Sequence, residues 1–351
     1  MKKNKHTVAL LYGGRGFEHD VSLIGAKRLF PQIDTERYYK LPILITQGGI
    51  WLTSGITDGI PPLDESAEGL FEVLPATRNG KGGFLTENGF IPIDALFPLL
   101  HGDFGEDGII AGVLENAMIP YVGQDTPTGA LLSDKAYTKA FAEHLGIPTV
   151  PWIYAVNEPA DTVLEKAKAS LGFPLFIKPS RLGSSVGAGI VTSPDGFASV
   201  YEKAFILGSG RVLVEKAVKI KVELECAYFG TKSKELFTKV GEISTGGGFY
   251  DYDAKYGGNC PFEVRDSSDI PEAIQKRIEE ASRLLVKGIG IRDLARIDFF
   301  LAEDGSLFFN EINPMPGFTE KSLYMRLLAN EGLPEGAALN SLIEAAISRS
   351  V

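Results

Sequence analysis

Asp298 and Glu311 sit in two short runs that read as the arms of one β-hairpin, which makes them the residues of this sequence best placed to do chemistry together. Ala295-Arg296-Ile297-Asp298-Phe299-Phe300-Leu301 alternates in polarity after its start, Glu303-Asp304-Gly305-Ser306 has turn composition, and Leu307-Phe308-Phe309-Asn310-Glu311-Ile312-Asn313 returns. A tip at Asp304-Gly305 sets Asp298 opposite Glu311 and Arg296 opposite Asn313, and the two-residue period of a strand puts all four on one face. Like charges opposed at about 4.5–5.5 Å cost stability, so a positive group belongs between them. Two carboxylates and an amide are hard oxygen donors that suit Mg²⁺, which keeps several waters and completes its shell with phosphate oxygens, so the set points to a nucleoside triphosphate. The other reading is an exposed hairpin whose solvated acids are offset by Arg296 alone. Beyond Asn313, Pro314-Met315-Pro316-Gly317-Phe318-Thr319 is a rigid exit whose glycine permits close backbone approach to a ligand.

Three glycine-rich stretches offer further chemistry. Lys178-Pro179-Ser180-Arg181-Leu182-Gly183-Ser184-Ser185-Val186-Gly187-Ala188-Gly189 joins two apolar strands, and its backbone N–H groups, two hydroxyls and a lysine suit an anion such as phosphate. It lacks the Gly-Lys-Ser/Thr of a Walker A loop and leads into a strand, and a hairpin tip is the alternative. Tyr12-Gly13-Gly14-Arg15-Gly16-Phe17-Glu18-His19 begins like a dinucleotide fingerprint, but His19 stands where that motif needs Gly or Ala, which counts against NAD. Glu18 at the helix entrance is either a first-turn acid or a partner for a substrate ammonium. His101-Gly102-Asp103-Phe104-Gly105-Glu106-Asp107-Gly108 follows the apolar run Ala95 to Leu100, at the strand end where α/β sheets bind ligands. Phe249 to Gly258 packs four aromatics into a Gly-bounded segment that reads as a packed loop or as a lid excluding water.

The elements that must position these groups alternate strand and helix at the start. Strands are expected at Val8–Leu11, Leu41–Thr46 and Ala95–Leu100, and helices at about Val21–Phe30 and Ile109–Ala117, which implies a parallel α/β sheet. Ser54 to Gly83 reads as an inserted excursion or hairpin. A helix starting near Ser133-Asp134-Lys135 and short strands through Arg211–Lys216 suggest a compact α+β unit, followed by an amphipathic helix near Pro271–Lys287 and helices beyond Glu320. The expected domains are 1–123, 124–216 and 217–351. At 351 residues, 44% hydrophobic and 23% charged, the chain is an ordinary globular protein with a formal charge of −10 and no dense basic block, so neither nucleic acid nor an anionic membrane is an expected partner. No apolar stretch approaches the roughly 18 residues of a membrane span, and the polar start lacks a signal-peptide pattern, so a cytoplasmic protein is expected. Cys226 and Cys260 form no CxxC pattern, and the four histidines are scattered.

Taken in order, these strings resemble the D-alanine:D-alanine ligase family of the ATP-grasp superfamily along essentially the entire chain. The matches are Gly13-Gly14 to Ser22, His101-Gly102 to Gly108, Lys178-Pro179 to Gly187, Phe249 to Tyr256, Arg296-Ile297-Asp298, and Asn310-Glu311-Ile312-Asn313 to Pro316-Gly317. The resemblance implies an α/β and α+β protein, a three-domain ATP-grasp fold with an N-terminal parallel α/β domain, joining two D-alanines at the expense of ATP through an acyl phosphate. It implies two Mg²⁺ ions, replaceable by Mn²⁺, held by Asp298, Glu311 and Asn313, with potassium as an activator, and a homodimer. Lys135 and Lys178 would contact phosphates with Ser184 and Ser185, while Glu215, Ala217, Val218 and Glu223, with Phe249 and Lys255, would complete the nucleotide site. Arg296 and the Gly317 N–H would stabilise an oxyanion. Glu18 would hold the first ammonium with His101 nearby, Ser322 the second carboxylate, and Glu18, Ser185 and Tyr256 would tie the lid down. Leu323 resembles members that use D-alanine second; Lys321, where the family usually has His, leaves D-serine open, and D-lactate is a further alternative. An ATP-grasp protein that binds nucleotide without catalysis is the reading of another class, and a nicotinamide oxidoreductase the third.

Overall fold

The computed structural model describes residues 5–183, 185–244, 263–320 and 322–349. The chain opens with β1 (His6–Gly13), α1 (His19–Leu29) and β2 (Tyr38–Ile45), then β3 (Trp51–Thr53), β4 (Phe71–Glu72), β5 (Leu74–Arg78), β6 (Lys81–Thr86), β7 (Gly89–Pro92), β8 (Ala95–Leu99) and α2 (Ile109–Asn116). β1 is buried from Val8 onward without alternation, as expected of a strand covered on both faces, and it pairs in parallel with β2 and β8. The order is β4-β3-β2-β1-β8, and the expected parallel sheet is thus present with one difference. β3 and β4 add antiparallel edges, because the short β2–β3 connection can only fold back as a hairpin. The excursion supplies β4 and the separate meander β5-β6-β7.

Next come α3 (Thr126–Ser133) and α4 (Lys135–His144), then β9 (Trp152–Val156), α5 (Ala160–Ser170), β10 (Leu175–Pro179), β11 (Gly189–Val191), α6 (Phe197–Leu207) and β12 (Arg211–Lys216). Their antiparallel sheet runs β11-β10-β12-β9 and has its own core beneath α5 and α6. The last sheet is built from β13 (Ile220–Gly230), β14 (Glu235–Phe237), β15 (Gly241–Ser244), β16 (Glu263–Arg265), β17 (Asp293–Ala302) and β18 (Leu307–Asn313), with α7 (Glu272–Ile289), α8 (Leu323–Asn330) and α9 (Glu335–Ile347). Leu132, Ala142, Leu285 and Val286 place α3, α4 and α7 on one face of this sheet, sharing a core with Phe299 and Phe309. α8 and α9 turn back to the first sheet, burying Leu339, Leu342 and Ile343 among Val8, Leu10, Phe97 and Leu99. Among the described residues no helix is long and apolar enough to cross a membrane.

Candidate active site

The β17–β18 hairpin pairs Asp298 with Glu311 and Arg296 with Asn313, as the sequence predicts. The route to that register is different. Glu303-Asp304-Gly305 forms a three-residue loop, with Gly305 at φ 83° and Ala302 N–H bonded to the Ser306 carbonyl at 2.9 Å. This loop alone would offset the pairing by one, as it does at Phe299↔Phe309, and a bulge at Asn310 restores it at Asp298. The bulge also turns Asn310 and Glu311, neighbours in sequence, toward the same cleft.

Charge is balanced tightly on this face. Arg296 donates Nε to Asp298 Oδ1 at 2.9 Å and its terminal nitrogen to Oδ2 at 2.7 Å, while Glu225 on β13 stands 3.2 Å from Nε. Burial opposes the guanidinium's charge, yet Asp298 and Glu225 hold its pKa well above the ordinary value. Asn313 donates to Asp298 at 3.0 Å, and the Lys135 ammonium lies 3.3 Å from Glu311. Among the described residues no three His, Cys, Asp or Glu side chains are grouped as a metal site, so the protein offers two carboxylates and an amide. That donor set fits a hard cation whose remaining ligands are waters and phosphate oxygens.

Lys135 is held in place by the first turn of α4. Asp134 caps this helix through the Ala136 N–H at 3.1 Å, is completely buried, and also accepts from Ser180 Oγ, Tyr154 OH at 3.0 Å and Arg181 Nε at 3.0 Å. Lys135 itself donates to the Leu182 carbonyl at 2.8 Å, so Asp134 and Lys135 tie α4 to Ser180, Arg181 and Leu182 of the glycine-rich loop. On β12, Glu215 lies 2.8 Å from Lys178 on one side and 2.8 Å from Lys139 on the other. Burial alone would raise its pKa, but the two ammonium groups bring it down to about 2. Lys135, Lys178 and Glu215 face a cleft of about 380 Å³, walled by the apolar side chains of Val150, Phe176, Ile190 and Phe300.

A second cavity of about 150 Å³ shares Gly183, Glu225, Ile243, Arg296 and Glu311 with the first. It is lined further by Glu18, His101, Glu106, Gly317, Ser322 and Leu323. Glu18 lies so near the loop after β8 that a Cβ on Gly102 would stand 2.6 Å from its carboxylate. His101 Nδ1 donates to the Met315 carbonyl at 3.1 Å, leaving Nε2 buried with no partner among the described residues; burial lowers its pKa and favours the neutral ring, against the pull of Glu18. Ser322 Oγ accepts the Thr319 N–H at 3.1 Å. Glu106 accepts the N–H groups of Gly102 at 2.6 Å and Met315 at 3.1 Å, yet burial and the charge of Glu18 push its pKa up to about 8.

Each predicted site residue in the described parts therefore lines one of two adjoining cavities: Lys135, Lys178, Ser185, Glu215, Ala217, Val218, Glu223, Arg296, Asp298 and Glu311 the larger, and Glu18, His101, Arg296, Glu311, Asn313, Gly317, Ser322 and Leu323 the smaller. Ser184, Phe249, Lys255 and Tyr256 lie outside the described residues, as does Lys321. Sequence reasoning missed Glu106, Glu225, Lys139 and Asn310. Glu106 and Asn310 stand inside quoted motifs, whereas Glu225 and Lys139 carry no local signal and emerge only when strands and helix meet.

The sequence matches the family model for the D-ala D-ala ligase N-terminus over residues 7–124 and that for the D-ala D-ala ligase C-terminus over residues 141–345. It is 37% identical to a D-alanine–D-alanine ligase of Chlorobium luteolum, an alignment covering 93% of this chain and 92% of that protein. The fold is similar to that of the D-Ala:D-Ser ligase VanG from Enterococcus faecalis, with a TM-score of 0.87 and 31% identity over 98% of this chain and 100% of the other. D-alanyl-alanine synthetase A from Vibrio cholerae gives a TM-score of 0.86 and 29% identity over 99% of this chain and 100% of the other. The chain belongs to the D-alanine:D-alanine ligase family of enzymes, with the ATP-grasp fold.

Proposed function

We propose that this ligase joins two D-alanine molecules, with ATP as the energy source. The observation that carries the reading is the shared wall: a large cleft and a small polar cavity meet at Arg296, Glu225 and Glu311. Such a junction suits transfer of a phosphoryl group from a nucleotide in one chamber to a carboxylate in the other. The large cleft would take ATP, with the base against Phe176 and Phe300 beside Ala217 and Val218, the ribose at Glu223, and the phosphates at Lys135, Lys178 and Ser185. Asp298, Glu311 and Asn313 would hold Mg²⁺, which when bound would neutralise phosphate charge.

In the small cavity Glu18 would fix the ammonium of the first D-alanine, so that its carboxylate faces the transferable phosphate. The acyl phosphate so formed would be attacked at its carbonyl by the second amine, and phosphate would leave. Arg296 and the Gly317 N–H would stabilise the oxyanion of that step, and Ser322 would hold the second carboxylate. An acyl phosphate hydrolyses in water, so closure of the cavity protects it. Leu323, Ile243 and Val264 give the second-substrate end an apolar lining that suits the methyl of D-alanine. An apolar wall rejects an added hydroxyl only by about a hundredfold, so D-serine is the competitor to test.

The test is phosphate release from Mg²⁺-ATP with D-alanine alone, then with D-serine or D-lactate added, and products identified by mass spectrometry. The dipeptide from D-alanine alone supports the reading, and a predominantly mixed product moves attention to Leu323 and Lys321. No amino-acid-dependent release would overturn it in favour of nucleotide binding without catalysis.

A further inference from the structure

Lys139 lies one turn beyond Lys135 on α4, is completely buried, and does not line the large cleft. Its ammonium is 2.8 Å from Glu215 Oε1, a buried ion pair. Glu215 Oε2 is 2.8 Å from Lys178, whose ammonium faces the cleft. Three charges are thus stacked from the interior outward, cation, anion, cation.

We propose that Lys139 is a positioning residue for nucleotide binding: it neutralises Glu215 from behind, so that the positive charge of Lys178 is available to a phosphate rather than consumed by an internal pair. The inference rests on the reading that the large cleft takes ATP. With Lys139 present the triad carries a net charge of +1, displayed at its Lys178 end. Without it Glu215 and Lys178 form a neutral pair, and the cleft loses a unit of attraction for phosphate while its base-binding wall is unchanged. A buried lysine is costly to desolvate, and here burial lowers its pKa while Glu215 acts to keep it charged. A side chain recruited only to fill this space would carry no such cost.

The distinguishing readout is the ratio of affinities along a nucleotide series, since a residue that merely holds the fold weakens all members alike. Binding of Mg²⁺-ATP, Mg²⁺-ADP and adenosine is measured by calorimetry for the wild type, Lys139→Met, Lys139→Arg and the double variant Lys139→Met/Glu215→Gln. Lys139→Met is expected to lose about tenfold or more for ATP and ADP and little for adenosine. Lys139→Arg, which keeps the charge, retains the wild-type ratio even if its melting temperature falls. In the double variant the anion is removed with its hidden partner, the charge of Lys178 is no longer offset by an internal anion, and the ATP-to-adenosine ratio returns toward that of the wild type. Equal weakening across the series, or no recovery in the double variant, overturns the inference. A wild-type chain that binds adenosine and ATP equally, or neither, removes the nucleotide reading and this inference with it; wild-type preference for ATP with Lys139→Met unchanged removes the inference alone.

Discussion

Arg296 stands between Asp298 and Glu225 with Glu311 adding to the field around it, and this crowding makes its charge structural as well as chemical. Replacing it with Met leaves two mostly buried carboxylates without their shared counter-charge. Arg296→Met is expected to destabilise the protein by about 3 kcal/mol and to reduce turnover at least about a hundredfold. Thermal melts and phosphate release measure the two losses separately, and full turnover in a destabilised variant would remove the oxyanion role. Glu106 gives a prediction in pH. Its folded pKa of about 8 lies above the ordinary 4.5, so between those values the folded state holds a proton the unfolded chain has released. This group therefore makes stability fall as pH rises through that window. Glu106→Gln removes the dependence, and its melting temperature should gain on the wild type from pH 5 to 8, by about 1–3 kcal/mol in stability. The slope is the readout rather than the offset, because Gln presents N–H to one of two backbone donors; parallel curves would contradict the shift.

At the scale of elements, α4 and the glycine-rich loop behave as one unit joined at Asp134. Asp134→Ala removes the cap of α4, the anchor of Arg181 and the acceptor of Ser180 and Tyr154 together. The expected cost is about 2–3 kcal/mol, with a raised KM for ATP and a smaller change in kcat, read from steady-state kinetics beside a melting curve. A lost cap with unchanged KM would show that the loop keeps its place without Asp134. How far such units were legible in the sequence depends on the range of the physics involved. The β17–β18 hairpin was legible because turn composition and a two-residue period are local, and even there two departures, a longer loop and a bulge at Asn310, cancel at the site. The Glu215–Lys139 contact was not, because a strand and a helix far apart in sequence meet there. Nor does the pattern of an amphipathic helix name the sheet it will cover, so the return of α9 to β1 and β8 was invisible.

That return decides how the whole molecule holds together. Leu339, Leu342 and Ile343 of α9 share a core with Val8 and Leu10 of β1, and the junction is reinforced by Arg28 with Glu335 at 2.8 Å and by Arg349 donating to the Tyr121 carbonyl at 2.8 Å. The first and last parts of the chain should therefore unfold as one unit. The sheet β11-β10-β12-β9 keeps a separate core around Val163, Phe197 and Val214, which shares no residue with the others. Calorimetry should resolve two transitions. Leu342→Ala should lower the one that contains α9 by about 2–5 kcal/mol, and Phe197→Ala the other by about 3–5 kcal/mol, each leaving its neighbour nearly fixed. The large cleft is walled by β10 and β12 on one side and by β17 and β18 on the other, so a nucleotide bound there touches both units. Mg²⁺-ATP should stabilise both and draw the transitions together. One transition shifted equally by either substitution would mean that the cores, though separate in packing, are a single cooperative unit, with the contacts of α4 and the glycine-rich loop strong enough to join them.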